Sequence, residues 1–512
     1  MQYHPIPEPT ISSAIWSAVA VGLLLLVTFW IGMIGRKKWS SFDEYMVGKR
    51  TIGPVVTGCA VAASYLSGWA FCGSAGVTYA LGWSGMWFAG VWTLIGIMPC
   101  VWITALRTRE LSEKLGATTL PEVLGRRFDS KILQTVISIV MLVYLFMYSV
   151  GQLKAAGGTW HAVTGWSPGA CLFVAVLVAF LYMALGGYTS TQWSLAFQGA
   201  FLGIVGFILA LIAMIKIGGP SSLNELLYKQ DPKLLKLIRP DLPKVGKFHL
   251  FSSWVGLVAC PMIFFTMAIG FPHNVSRFLG MRELTKREYA LMCLSVFLVA
   301  GIPIMMDCAW NGTIARALYG KQLFKILPWK YDLADPYLAW AVGGIPLAAL
   351  YVAGLFAAAL STLSAMIFIM AGNVTRDLIK LWRPETSDRT LIILTRILIA
   401  LFLAFPFFWT LYKPPALLAI FMGFAAIGLG GTFFYVTAIS YYWKGASSLG
   451  SILAIIYGLV ATLWGAWAVV HNKLGMGWMF WIVFIGCGVL YFLGSFIGKK
   501  PSEEILKKCF SK

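Results

Sequence analysis

Apolar runs of spanning length recur from one end of this chain to the other, and that leaves it few folds. A run of about twenty apolar residues crosses the hydrocarbon core of a bilayer as a helix, because every backbone N–H and C=O must find its partner inside the segment. Thirteen such runs can be placed, at 12–34, 52–80, 84–105, 131–159, 168–186, 190–215, 250–271, 287–308, 344–371, 389–411, 415–441, 446–470 and 476–497. The expected fold class is therefore all-α and polytopic, with about thirteen transmembrane helices and a lipid bilayer as its solvent. Composition agrees: 59% of residues are hydrophobic and 12% charged, with a mean hydropathy of +0.79, outside the range of a soluble globular protein.

The net charge of +20 would suggest nucleic acid in a soluble chain, but here the Lys and Arg lie between the runs, where they set orientation. With the N-terminus outside, the cytoplasmic segments 35–51, 106–131, 187–189, 272–288, 372–390, 442–445 and 498–512 hold 25 of the 40 Lys and Arg. The external segments hold 13, of which 11 sit in the long loops 216–249 and 309–343, and long loops weigh less in the count. The expectation is N-out, C-in, with no nucleic-acid partner. The first run ends in the basic stop GRKKWS rather than a small-residue cleavage site, so no cleavable signal peptide is expected. The nine Cys show no metal or disulfide spacing and read as small membrane-core residues.

The outer loops carry possible short surface helices at Ser221–Tyr228 and Leu333–Val342, with plain solvated loop the equal alternative. Arg107–Arg127 reads as one or two amphipathic helices on the cytoplasmic membrane surface. Setting aside the first run and the last two leaves ten, which divide into 52–215 and 250–441, separated by the loop 216–249. Segments 1–51 and 442–512 are peripheral additions. Because five is odd, the second set of five starts from the opposite side, which is the arithmetic of an inverted repeat. That repeat rests on counting alone.

The first helix of the core is a poor plain helix. Gly58, Gly68, Gly73 and Gly76 interrupt it, among Ala60, Ala62, Ala63, Ser64, Ser67 and Ser74. Such residues serve close helix packing or a break that turns carbonyls toward a cavity, and the segment alone fits both. Its counterpart at 250–271 contains Pro261 and closes on Gly270-Phe271-Pro272. Run nine places Ser361 and Thr362 side by side in an otherwise apolar helix, with Ala358 three residues earlier. Two hydroxyls and neighbouring carbonyls make a set of neutral oxygens suited to a hard monovalent cation, although hydroxyls in membrane helices often bond only to their own backbone. Charges within the runs are confined in this reading to Asp307 and Arg396, each near an interface. His273 is placed at a cytoplasmic helix end, and the other four His in or beside outer segments. A carboxylate relay for protons is not expected.

Several motifs together carry a resemblance: YMVGKRTIGP before the second run, ASYLSGW within it, ALGGYTSTQW at runs five and six, GFPHNVSRFL after run seven, AALSTLSAMIFIMAGNVTRDL in run nine and SYYWKGAS after run eleven. In this order, from about residue 43 to 446, they resemble the sodium/solute symporter family, and most closely its proline-carrying branch. The resemblance implies a LeuT-like core of two inverted five-helix repeats and transport rather than catalysis. Carried over position by position, the family's sodium site falls on Ala63, Leu66, Ala358, Ser361 and Thr362. The substrate site beside it falls on Ser67, Gly68, Trp69 and Tyr65, with Tyr148 and Gln152 in run four and Phe264 and Phe265 in run seven.

The chain departs from the pattern twice. Tyr65 stands where the proline carriers keep an acid, and Leu195 where many members keep an Asp that helps a second sodium site. One Na+ is therefore expected, with no organic cofactor, and proline as substrate is in question. The expected function is sodium-coupled symport of a small organic solute across the inner (plasma) membrane, an amino acid or monocarboxylate before a sugar. A proton-coupled or uncoupled transporter of the same fold is the alternative, with a non-transporting sensor behind it. Oligomeric state is left open, with a monomer as the working reading.

Overall fold

The structure, a computed structural model, describes residues 3–34, 40–89, 92–326, 330–412 and 418–510; the basic stop at 35–39 and the side chain of Asp307 lie outside them. Among the described residues every regular element is helical, apart from two isolated bridges. Helix α1 spans Ile11–Ile34. The first helix of the core is split into α2 (Pro54–Tyr65) and α3 (Trp69–Gly85), bent by 47°. Next come α4 (Trp92–Leu115), α5 (Leu120–Arg127), α6 (Lys131–Thr164), α7 (Pro168–Lys216) and α8 (Gly219–Gln230). The second half opens with another split helix, α9 (Trp254–Gly270) and α10 (Pro272–Phe278), bent by 48°. It continues through α11 (Lys286–Val296), α12 (Ile302–Tyr319), α13 (Ala334–Gly372), α14 (Asp388–Tyr412) and α15 (Leu418–Phe434), and the chain closes with α16 (Ser448–Val470) and α17 (Met476–Ile497).

Helix occupies each of the thirteen expected runs where it is described. Among the described residues, eight helices are long and apolar enough to cross a membrane on their own, and up to ten if each bent pair is one span. The two breaks have different local causes. At the second, Phe271 precedes Pro272 and is held extended at φ −74°, ψ 112°, as the proline ring demands of its predecessor. At the first there is no proline. Leu66 turns to φ −70°, ψ 96°, and the Gly68 N–H leaves the helical ladder for the Gln152 side chain at 3.0 Å. Elsewhere Gly187 (φ +63°) divides α7 between runs five and six, and Gly344 (φ +64°) divides α13, both in a region glycine enters without steric penalty.

Helix α13 is the centre of the bundle. Its most apolar window is entirely buried, and it packs on α6, α7 and α1. Helices α1, α14, α16 and α17 instead turn large apolar side chains outward, Trp16, Leu26, Phe405 and Val460 among them, as a lipid-facing shell requires.

One expectation for the connecting segments is corrected. The segment from Leu333 to Val342 is helical from Ala334, but it is no solvated loop: Asp335, Tyr337, Leu338 and Val342 are buried, because the turn at Gly344 folds this arm back over the bundle. The segment Arg107–Arg127 forms two helices, as expected, and the second is packed into the protein. Helix α4 runs straight on to Leu115, and α5 buries Glu122, Val123, Leu124 and Arg127 within the protein. Helix α8 does cover the expected 221–228; it buries Leu223 and Leu227, and Asn224 and Gln230 tie it to Trp83 and Arg316.

Candidate functional site

The break at Leu66–Ser67 leaves carbonyls at the end of α2 without their helical donors, and α13 supplies two hydroxyls opposite them. Ser361 Oγ donates to Ala63 O at 3.1 Å and to its own Ala358 O at 2.9 Å. Thr362 Oγ1 lies 3.3 Å from Leu66 O and 3.5 Å from both Ala63 O and Ser64 O. All five positions assigned from the sequence therefore converge, and Ser64 O joins them. The oxygens are neutral, buried and convergent, and they sit at the negative end of the α2 dipole. That donor set suits a hard monovalent cation, whose arrival would displace the hydroxyl protons and turn the lone pairs inward. Leu195 packs beside them with Ala60, Ala63 and Ala365 in a small apolar cluster, so its side chain adds no ligand.

The residues assigned to substrate are only partly brought together. Ser67 Oγ and Tyr148 Oη are 3.3 Å apart. The Trp69 ring meets Tyr148 edge-on at 6.1 Å and Phe264 at 5.2 Å. Gly68 approaches α6 so closely that a Cβ there would lie 2.3 Å from Ala155 Cβ. Tyr65 is buried, and its hydroxyl lies against Gly96 of α4, where an added Cβ would stand 2.4 Å from that hydroxyl and 2.9 Å from Phe264 O. Phe265 is corrected: it faces Phe434 at 5.6 Å, outside the Trp69 cluster. Successive residues on a helix point about 100° apart, so Phe264 and Phe265 cannot share a face. The structure adds two rings the sequence did not assign, Phe271 at 5.2 Å and His273 at 6.0 Å from Tyr148. His273 is fully buried rather than standing at an open helix end, because α10 folds back under the break.

Reading charges only near the interfaces missed Lys154. It stands in α6, inside the fourth apolar run, and its Nζ is 2.6 Å from an Asp332 carboxylate oxygen, with both side chains almost wholly buried. One turn on, Asp335 accepts from the Tyr351 hydroxyl at 2.7 Å. A lysine in the stretch GQLKAAGG was a visible signal, since a charge inside an apolar run asks for a partner. The partner, supplied by a long loop, was not visible.

At the opposite end of the bundle a second charged cluster ties α5 to the end of α13. Glu122 accepts from Arg376 at 3.0 and 3.1 Å, from Arg126 at 2.6 Å and from the Thr118 N–H at 2.8 Å. Arg376 also pairs with Asp43 at 2.7 Å, and Asp377 accepts from Thr119 and Gln134 at 2.7 Å each. Burial raises the Glu122 pKa, but Arg376 and Arg126 outweigh it and hold the carboxyl below its ordinary value of 4.5.

A helical membrane bundle with two core helices broken and an oxygen cage at one break has the architecture of a secondary transporter. The model of the sodium:solute symporter family matches residues 45–458, and the chain belongs to that family. It is a membrane transporter and not an enzyme. Among its curated relatives, the sodium/proline symporter of Staphylococcus aureus strain bovine RF122 / ET3-1 is 26% identical over 470 residues, covering 88% of this chain and 85% of the relative. The same protein of strain JH9 matches to the same extent. Among solved structures, the substrate-bound outward-open state of a Na+-coupled sialic acid symporter aligns with a TM-score of 0.71 at 17% identity, over 96% of this chain and 99% of that one. The two share a fold.

Proposed function

We propose that this chain is a secondary active transporter that couples uptake of a small organic solute, an amino acid or a monocarboxylate, to one sodium ion by alternating access. The observation that carries the reading is the convergence of Ala63 O, Leu66 O, Ala358 O, Ser361 Oγ and Thr362 Oγ1 at the break of a core helix. None of these oxygens titrates near neutrality, which favours a metal cation over a proton. The apolar surroundings of Leu195 support a single sodium. Trp69, Tyr148, Phe264, Ser67 and Gln152 gather around the start of α3 and would give a substrate site there an aromatic wall and polar edges. The positive end of that half-helix favours a carboxylate. Proline and sialic acid, for which the relatives are named, both carry one.

The arrangement in the membrane belongs to the same reading: thirteen spans, N-terminus outside, multi-pass in the plasma membrane, and repeats at 52–215 and 250–441. The nearly equal bends of 47° and 48° in the first helix of each half support the repeat. In the cycle, sodium fixes the α2–α3 break and orders the pocket, substrate closes the outer side, and the two halves rock to release both inward. The deciding experiment is uptake by the full chain in proteoliposomes with sodium replaced by choline. Uptake is expected to disappear, and unchanged uptake would remove the sodium assignment. The buried Asp335–Tyr351 pair favours a second reading, proton coupling, which uptake driven by a pH gradient without sodium would establish.

A further inference from the structure

The buried ion pair between Lys154 and Asp332 has no place in the cycle as described so far, and its position is unusual for a structural strut. Lys154 stands next to Ala155, the residue pressed against Gly68 at the break, and two residues beyond Gln152, which holds the Gly68 N–H. With Cys72, Ala155, Gly158, Thr159, Asp332 and Leu333 it lines a small cavity of about 10 Å³ beside the first turn of α3. Cys72 and Thr159 close the cavity wall with a 3.4 Å contact. The cation thus comes from α6, the core helix that also carries Tyr148 and Gln152 against the break. The carboxylate comes from the connecting arm, which enters the bundle ahead of the turn at Gly344. A pathway to the pocket from that side requires the arm to lift and the two charges to part.

We propose that Lys154 is the carboxylate-recognising residue of the transporter and that Asp332 is an internal stand-in for the substrate carboxylate, occupying Lys154 while the pocket is closed and empty. The inference rests on the symport reading above and names the residue that meets the carboxylate of its substrate. The argument is one of charge balance. A lysine removed from water is costly unless an anion faces it. When the arm lifts and Asp332 leaves for the aqueous side, Lys154 loses this counter-charge in a buried site. A substrate carboxylate restores the balance, whereas a sugar or an amide does not. Asp332 therefore acts in two ways: it competes with substrate for Lys154, and it keeps the site neutral when no substrate is present. The exchange of one carboxylate for another makes or breaks no covalent bond and moves no proton.

The test uses the purified full chain in lipid. The probes are propanoate, L-alanine and L-proline beside propanamide, L-alaninamide and L-prolinamide, each with and without sodium, read by binding calorimetry and thermal shift. In the wild-type protein at least one acid is expected to bind in sodium and its amide to bind far more weakly. Asp332→Asn removes the competitor and is expected to tighten the acid about tenfold without changing the amide. Lys154→Met is expected to weaken the acid about a hundredfold, the scale on which a buried charge loses its partner, while sodium alone still stabilises the protein. The neutral double variant Lys154→Met with Asp332→Asn separates recognition from folding, because it leaves no unpaired charge. It is expected to be as stable as wild type and still unable to bind the acid. A double variant that binds the acid with wild-type affinity overturns the proposal and makes the pair a strut. So does a wild-type protein that responds to sodium but takes acid and amide equally, or takes neither. A protein that responds to sodium in none of these measurements overturns the symport reading itself, and the two failures are thereby distinguished.

Discussion

Single oxygens decide what the break in the first core helix can hold. Ser361 and Thr362 each reach across from α13 to carbonyls of α2, at 3.1 and 3.3 Å for the shortest contacts. Removing either hydroxyl leaves carbonyls in place but takes one ligand from the cage. Ser361→Ala and Thr362→Ala are each expected to raise the sodium concentration for half-maximal uptake about tenfold, the loss of roughly one charge-assisted contact. The unfolding temperature should barely move, since only small polar groups are lost. Normal sodium dependence in both would remove the assignment. The family pattern is what set these hydroxyls opposite the α2 carbonyls, since hydroxyls in an apolar helix often bond only to their own backbone. Phe265 was misplaced because a motif names neighbours without saying which of two successive residues faces inward. Lys154 was overlooked although it stood in plain view, because its counter-charge lies 178 positions along the chain on a segment that reads as loop.

At the level of helices, the break and the cluster at the far end are each held by packing that can be tested separately. Gly68 permits α3 to meet α6, and a Cβ there would fall 2.3 Å from Ala155 Cβ. Gly68→Ala is expected to cost about 1–3 kcal/mol of stability through overpacking and to lower uptake by spreading the pocket. Adding Ala155→Gly should return most of both, and thermal unfolding with uptake in the double variant checks it. The link between α5 and the end of α13 depends on pH. Glu122 is held below its ordinary 4.5, so its contribution is complete above the unfolded value and is lost as pH falls through the lower folded one. The unfolding temperature of wild type should therefore fall on acidification below about pH 4.5, and that of Glu122→Gln should start lower and fall less. Equal acid sensitivity in the two would show that Glu122 is not the group involved. Hydropathy alone located the helices, and Pro272 marked the second break. The first break carries no such mark, because the acceptor that draws Gly68 out of the ladder is Gln152, on another helix.

For the molecule as a whole, coupling requires that sodium and substrate favour the same closed arrangement, and the geometry offers a direct route between them. The two proposed sites share one short segment: Ala63 and Leu66 turn carbonyls toward Ser361 and Thr362, while Ser67, Gly68 and Trp69 meet Tyr148 and Gln152. Sodium that fixes the first group of atoms fixes the second, so substrate no longer bears the whole ordering cost. Linkage then requires reciprocity: if sodium tightens substrate by some factor, substrate tightens sodium by the same factor, typically about 5–150-fold for coupled sites. The proteins to compare are wild type and Thr362→Ala, with substrate affinity measured at zero and saturating sodium and sodium affinity at zero and saturating substrate. In wild type the two factors should agree and exceed about fivefold. In Thr362→Ala both should shrink together toward one, since the hydroxyl nearest Leu66 O connects the cage to the segment that bears the pocket. A wild-type factor of one would mean that the ion and the solute bind independently, and the shared break would then be a feature of packing rather than of transport.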